Sequence, residues 1–206
     1  MDAIFQRRAA RLYTPADVPA RVLHELLRAA VQAPSPLNAQ PWSFAVFCGR
    51  RRLAVLSERI KDHLLATLPP FYELHEHASC MSDPGYDVFH GAPALVVVCA
   101  TPHGYSPEES CCLAAQNLML AAHATGLASC PVGFVRPWFG LPHIKAELGI
   151  PSHLSPVFPV VIGHPAGPIK PVARREPDVV IWHEPPSDNL RAQSDKPCGE
   201  TPRWIG

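Results

Sequence analysis

The sequence predicts a three-layer α+β domain built around one sheet. Segments with helical periodicity alternate with short apolar runs that are rich in β-formers, and the connections between them are uneven in length. The chain contains neither G-x-G-x-x-G nor G-x-x-x-x-G-K-[ST]. These three observations exclude a dinucleotide-type Rossmann unit and a P-loop, and they favour a sheet flanked by helices.

Composition limits the number of domains and the kind of partner. The chain has 206 residues and 47% hydrophobic content, enough for one domain with a full core. We predict this domain over residues 1–184, followed by a polar, proline-bearing tail over 185–206 that is either disordered or wrapped around a partner. Lys+Arg and Asp+Glu both number 18, so no net charge attracts nucleic acid or an anionic membrane.

Cysteine and histidine usage indicates a reduced compartment and no metal. The N-terminus lacks the pattern of a signal peptide, and the apolar runs are too short to span a membrane. The seven cysteines are odd in number and lack CxxC spacing, which favours a cytoplasmic protein. Eleven histidines include the "HEH" at 75–77, but this is not HExxH, and we predict no metal site.

The first half of the chain should supply two helices and one strand. Residues 19–33 carry apolar side chains at helical spacing, and Pro34 ends that helix. Residues 43–49 resemble a buried strand, and 50–65 a more polar helix. The segment 69–87 has no clear period and is predicted to be a loop or short irregular helix that covers a pocket.

The second half should supply the centre of the domain. The apolar run 92–100 predicts a strand covered on both faces. Residues 107–126 predict a helix with acids in its first turn and a glycine at its end. This helix is apolar nearly all round, so it should be buried at the domain centre or against a second subunit. A short helix at 142–149, a strand at 157–165 and a last short strand at 177–184 complete the prediction.

Two basic clusters are candidates for a phosphate site. Arg7, Arg8 and Arg11 lie near the N-terminus, and on a helix Arg7 and Arg11 would share one face. Arg174 and Arg175 form part of a second cluster after the last long strand. Guanidinium groups match phosphate geometry, so the two clusters could converge on one phosphate. Taken alone, the first cluster is more simply explained as a solvated basic turn.

The stretch "APSPLNAQPWSF", residues 33–44, is the third candidate. Pro34, Pro36 and Pro41 fix backbone angles and leave Ser35 and Asn38 in a rigid presentation. A rigid loop with a few polar groups suits a planar heterocycle with hydrogen-bonding edges. A helix stop followed by a turn would account for the same prolines.

Taken together, the motifs resemble the FMN-dependent nitroreductase family. They are "RRAARLY" at the start, "APSPLNAQPWSF", "HATGLASCPVGF", and "VVIGHP" followed by "RREP", in the family's order from residue 4 to about 184. The resemblance implies a mixed, mainly antiparallel sheet flanked by helices. It also implies a homodimer in which both subunits build each FMN site, with the helix 107–126 at its centre.

The resemblance also implies roles for individual residues. Arg7, Arg8 and Arg11 match phosphate and ribityl binders, and Ala9 stands where the family often has serine, so only its backbone can contribute. From the C-terminal side, Arg175 would close on the phosphate with help from Arg174. The remaining matches adjoin the flavin ring: Pro34, Ser35, Pro36 and Asn38 from the partner subunit, and Pro131, Val132 and Gly133 beside flavin N5.

The implied reaction is ping-pong hydride transfer from NADH or NADPH through flavin N5 to a small acceptor such as a nitroaromatic, a quinone or an enone. The cofactor performs this chemistry, so no catalytic side chain is predicted. Two alternatives stay open at this point. One is a non-catalytic flavin-binding carrier or sensor, and the other is a specialised branch such as a benzimidazole synthase or a dehalogenase.

Overall fold

The structure is a computed structural model in which residues 1–67 and 81–183 are described. It divides into two units, Met1–Val172 and a short unit that begins at Ala173. The first unit contains these helices and strands: α1 (Asp2–Gln6), α2 (Ala20–Ala30), β1 (Trp42–Cys48), α3 (Arg50–Thr67), β2 (Ala94–Ala100), α4 (Pro107–Ala124), β3 (Ala128–Pro131), α5 (Arg136–Phe139), α6 (Pro142–Leu148) and β4 (Ser155–Gly163).

One antiparallel sheet organises this unit, with strand order β1–β2–β4–β3. All seven residues of β2 are buried, because the strand is central and has helices on both faces, as its continuous apolar run predicted. Parallel pairing is limited, within the described residues, to one isolated bridge between Ala9 and Ser129. The prediction of a mainly antiparallel sheet flanked by helices is confirmed.

Side-chain alternation along the strands divides the core into two clusters, one on each face of the sheet. Leu95 and Val97 of β2 point to a cluster that contains Leu53 and Ile60 of α3 and the aromatic side chains of α5. Val96 and Val98 point to the other cluster, which is closed by α2 and α4. The molecule is therefore built in three layers: α3, α5 and α6, then the sheet, then α2 and α4.

The long helix α4 is buried on one side and uncovered on the other. Cys111, Ala115 and Leu118 have no exposed surface and lie under the sheet and α2. Cys112 and Leu113, on the opposite side, are exposed. The prediction of burial holds for the sheet-facing side. The exposed residues of α4 are of mixed character: Glu108, Glu109, Cys112, Leu113, Gln116 and Ala124.

Two predicted segments form little regular secondary structure in the described residues. The expected strand at 177–184 is wrong for residues 177–183, which form no strand in the described structure. A β-prone sequence becomes a strand only beside another strand that pairs with its backbone. Of the segment 69–87, residues 69–80 lie outside the described residues, and 82–91 form turns. Within the described chain no helix has the length and hydropathy that crossing a membrane requires.

Candidate functional site

The N-terminal segment, residues 7–14, lies along the edge of the sheet. Helix α1 ends at Gln6, so the helical arrangement considered for Arg7 and Arg11 is wrong. The segment is instead extended: Ala9 forms the bridge with Ser129, the Ala10 N–H donates to the Ser129 carbonyl at 3.1 Å, and Thr14 N–H donates to the His164 carbonyl at 2.9 Å. Arg7 and Arg8 are half-buried there, and Arg11 is exposed.

Gly163, the last residue of β4, allows this segment to close on the sheet. A Cβ at Gly163 would lie 2.8 Å from Tyr13 Cδ1 and 2.6 Å from Pro93 Cδ, closer than carbon atoms can approach. The Tyr13 hydroxyl donates to the Ala10 carbonyl at 3.0 Å, which ties the Tyr13 side chain to the segment. The arginines are thus carried on a backbone that the sheet holds in place.

Several polar atoms in and beside this segment are buried without a partner. Among the described residues, the buried side-chain atoms that lack a hydrogen bond include Arg7 Nη1, Arg8 Nε, Thr14 Oγ1 and Ser129 Oγ. Arg8 Nη1 donates to the Phe5 and Arg7 carbonyls, at 2.6 Å and 2.8 Å. Within the described residues no Asp or Glu pairs with these arginines. Donors buried without an acceptor are costly unless a ligand supplies one, and these would suit an anion.

The positive charge of this segment affects the pKa of two further side chains. Burial raises the pKa of the Cys130 thiol, and the positive charges of Arg11 and Arg7 partly oppose that rise. Burial, together with Arg11, lowers the pKa of His90, while Asp87 acts in the opposite direction. Cys130 and His90 therefore adjoin the basic segment. No sequence pattern predicted this position for His90, which lies in a turn and adopts a φ of 57°.

The loop from Ala33 to Pro41 is held by its own hydrogen bonds. Ser35 Oγ accepts from the Gln40 N–H at 2.9 Å, and the Asn38 N–H donates to the Ser35 carbonyl at 3.0 Å. The Pro41 carbonyl accepts from the Thr101 N–H at 3.0 Å, which anchors the loop to the end of β2. Ser35 therefore stiffens the loop, and its O–H remains a possible donor to a ligand.

Backbone strain in this loop escaped the sequence prediction. Leu37, Asn38 and Gln40 have φ of 53°, 52° and 47°, the left-handed region that residues other than glycine rarely adopt. Asparagine tolerates this region, but leucine and glutamine have no conformational preference that would predict it. Pro34, Pro36 and Asn38 are exposed, as a ligand-contacting loop requires.

The third predicted segment follows β3 and adjoins a groove. Val132 is buried, and its N–H donates to the Pro159 carbonyl at 3.0 Å, so Pro131, Val132 and Gly133 are held beside β4. A Cβ on Gly133 would meet no atom within 4 Å. Gly133 lines a groove of about 850 Å³ together with residues of α4, α5 and β4: Glu108, Glu109, Cys112, Leu113, Arg136, Val157 and Phe158.

Arg136 orders one wall of that groove and was missed by the sequence analysis. Its Nε donates to the Pro156 carbonyl at 2.9 Å, and Nη2 pairs with Glu108 at 3.0 Å, which ties α5 to β4 and α4. Arg174 and Arg175 lie in the second unit, where both are exposed. Their convergence with Arg7 stays a prediction.

The structure thus combines a basic edge segment, a rigid strained loop and an open strand end on one α+β scaffold, and its antiparallel sheet is not that of a Rossmann protein. The sequence profile of the nitroreductase family matches residues 4–164. The chain belongs to the nitroreductase family.

Individual relatives agree with this assignment. Nitroreductase NfnB of Mycolicibacterium smegmatis is 29% identical over 177 residues, which cover 70% of this chain and 74% of that protein. A nitroreductase of Bacteroides fragilis with bound FMN superposes with a TM-score of 0.75 at 26% identity, covering 88% and 97% of the two chains. An iodotyrosine deiodinase bound to FMN and 3-iodo-L-tyrosine gives 0.66 at 25% identity, covering 89% and 98%.

Proposed function

We propose that the protein is an FMN-dependent oxidoreductase that takes hydride from NADH or NADPH and passes it to a small electron acceptor in a ping-pong cycle. The observation that carries this proposal is the set of unpartnered guanidinium atoms on the N-terminal segment, Arg7 Nη1 and Arg8 Nε. They fit the phosphate of FMN because a dianion would supply the missing acceptors. The FMN bound in the Bacteroides fragilis relative supports the same cofactor.

In this proposal, different residues bind different parts of FMN. Arg7, Arg8 and Arg11 would bind the phosphate and ribityl chain, with Arg175 and Arg174 closing from the C-terminal side. The open position of Gly133 leaves room for a planar ring against the backbone of 131–133. When bound, FMN supplies hydride acceptance and donation at N5, and backbone N–H groups beside it would tune its potential.

The proposal includes a homodimer, in which Pro34, Ser35, Pro36 and Asn38 of one subunit meet the flavin of the other. The exposed side of α4, with Leu113 46% exposed, supports it. Helix α1 adds Ile4 and Phe5, which are 57% and 65% exposed. Apolar surface of this kind on a neutral protein suits a second copy of the chain.

Anaerobic reduction tests the proposal most directly. Protein purified with FMN is mixed with NADH or NADPH in the absence of oxygen, and the visible absorption of the flavin is followed. We expect rapid bleaching with at least one nucleotide, and then return of the colour when a quinone, a nitroaromatic or an enone is added. Persistent colour at saturating nucleotide would instead indicate a flavin-binding carrier or sensor.

A second measurement separates the specialised branches. Dehalogenation is the alternative that a specific observation supports, because a deiodinase is among the structural relatives. Reduced enzyme is therefore also offered a halogenated aromatic, and release of halide is measured. Halide release at a rate matching flavin reoxidation would favour the dehalogenase, and reoxidation by quinones or nitroaromatics alone would favour the general reductase.

A further inference from the structure

Lys145 of α6 is buried without a counter-ion. The residue is 9% exposed, and no Asp or Glu of the described chain forms a salt bridge with it. Lys61, which is 3% exposed, pairs with Glu58 at 2.9 Å. Burying a charge is costly unless an opposite charge lies beside it. Lys145 therefore lacks the anion that Lys61 finds within the chain.

Backbone carbonyls hold the Lys145 ammonium in place without neutralising it. Nζ donates to the Ser152 carbonyl at 2.5 Å and to the Leu154 carbonyl at 2.6 Å. An ammonium has three N–H donors, so these bonds to the described residues leave one donor for a ligand. Carbonyl groups carry no net charge, so the ammonium keeps its positive charge at this position.

A cavity of about 490 Å³ lies beside this ammonium, between α4, α5, α6 and the start of β4, and we call it the Lys145 cavity. Arg136 and Glu108 also line it, so two cations and one carboxylate give it a net charge of one positive. Arg136 donates from Nε to the Pro156 carbonyl and from Nη2 to Glu108, which leaves Nη1 without a bond to any described residue. The remaining lining residues are mostly apolar: Pro137, Gly140, Leu154, Ser155 and Pro156.

We infer that the Lys145 cavity binds a small organic monocarboxylate, with its carboxylate group between Lys145 and Arg136. A monoanion matches the net charge of the cavity, and a carboxylate accepts hydrogen bonds from both a guanidinium and an ammonium. Small-molecule sites have volumes of about 300–1,000 Å³, so an inorganic ion alone would leave most of this cavity empty. The apolar walls suit a short aliphatic body. No lining residue is among those assigned to FMN, so binding here does not depend on the proposed function.

Calorimetric titration of the full chain tests this site, with hexanoate as the probe and hexanamide as its neutral isostere. Wild-type protein should bind hexanoate saturably at one site per chain. It should bind hexanamide at least about tenfold more weakly, because the amide offers no charge to the two cations. Absence of saturable hexanoate binding would overturn the inference, and so would equal affinity for the amide.

Two substitutions with effects of opposite sign locate the site. Arg136→Gln removes one cation and should weaken hexanoate binding by about tenfold, whereas Arg136→Lys should keep part of the affinity. Glu108→Gln removes the carboxylate that competes for Arg136 and should tighten binding by about two- to fivefold, the size that exposed charge pairs commonly have. A general disturbance of the fold would weaken binding in both variants. Weaker binding by Glu108→Gln, or wild-type affinity of Arg136→Gln, would therefore overturn the inference.

Lys145→Met tests the buried cation itself. Methionine fills a similar volume without a charge, so we expect a folded protein with no measurable hexanoate binding. Wild-type affinity in this variant would contradict the role of Lys145. If far-UV circular dichroism shows that Lys145→Met does not fold, the substitutions at Arg136 and Glu108 decide.

Arg28→Gln is the matched control, because Arg28 is an exposed arginine of α2 that also pairs with a glutamate, Glu25 at 3.4 Å. It should bind hexanoate like wild type. A loss equal to that of Arg136→Gln would overturn the inference, because the effect would then be one of overall charge rather than of this cavity.

Discussion

The N-terminal segment and the loop from Ala33 to Pro41 differ in whether their polar side chains have hydrogen-bond partners. In residues 7–14 the backbone is bonded to β3 and to the end of β4, but guanidinium atoms of Arg7 and Arg8 are buried without acceptors. In the loop the Ser35 hydroxyl and the Pro41 carbonyl are both bonded within the chain, and the cost appears as positive φ values. The segment therefore has donors that suit an anionic ligand, whereas the loop has internal hydrogen bonds that maintain its backbone conformation.

This contrast separates the consequences of mutation. Removing a side chain from the segment should weaken ligand binding and leave the stability of the cofactor-free protein nearly unchanged. Removing a hydrogen-bonding side chain from the loop should lower stability whether or not the ligand is present. A segment variant that loses stability without its ligand, or a loop variant that loses only ligand binding, would contradict this contrast.

Arg7→Ala should have the largest effect. The guanidinium would make a charge-assisted contact with phosphate worth about 1.5–3 kcal/mol, so we expect FMN affinity to fall by about 10- to 150-fold. The cofactor-free protein should be as stable as wild type or more stable, because an unpartnered buried donor is removed. Titration of cofactor-free protein with FMN, followed by flavin fluorescence, measures the change.

Arg51→Ala is the matched control, because Arg51 is an exposed arginine at the start of α3. It should bind FMN like wild type. If Arg7→Ala also retains wild-type affinity, the basic segment is not the phosphate site.

Arg175→Ala should weaken FMN binding in the same direction but by less, since Arg175 is exposed and water competes for its donors. The double variant with Arg7→Ala tests whether both arginines reach one phosphate. A loss smaller than the sum of the single losses would indicate a shared ligand group. Strict additivity, or no effect of Arg175→Ala, would contradict the convergence of the two clusters.

Ser35→Ala should act on stability. The Gln40 N–H loses its acceptor, and we expect the free energy of unfolding to fall by about 1 kcal/mol. Urea denaturation of the cofactor-free protein measures it, with Ser35→Thr as the variant that keeps the oxygen. Equal stability of the alanine variant and wild type would show that the Ser35 bond does not hold the loop.

Sequence patterns predicted the layers better than the local geometry of the site. The apolar run over β2 and the periodicity of α2 reflect burial, which depends on side-chain chemistry that the sequence displays. The proline-rich stretch does lead from a helix through a loop to a strand, but α2 ends at Ala30, so the prediction that Pro34 ends it is wrong. Its left-handed residues were not predicted, because Leu37 and Gln40 are held there by hydrogen bonds rather than by their own preferences.

Contacts between distant segments were also beyond prediction. Nothing in the sequence pairs Ala9 with Ser129, or puts His90 near Arg11, because such contacts are set by how the strands and turns assemble. The helical placement of Arg7 failed for a related reason. Pairing with a sheet edge overrides the helix propensity of a short basic stretch.

The smallest expected effect concerns His90 and the charge of the N-terminal segment. Because burial and Arg11 lower its pKa in the folded protein, the unfolded chain binds more protons at mildly acidic pH. This contribution to stability is fully present above about pH 6.5, the ordinary His value, and is lost as pH falls toward the lower folded pKa. His90→Asn, which tolerates the φ of 57°, removes the titration.

The measurement is the difference in unfolding free energy between wild type and His90→Asn, from urea denaturation at several pH values between about 7 and about 5. In cofactor-free protein, wild type should lose stability relative to the variant as the pH falls. With FMN bound, a phosphate near Arg11 would offset its positive charge, raise the His90 pKa and flatten that difference. An identical slope with and without FMN would place the phosphate away from Arg11 and weaken the contrast between the segment and the loop.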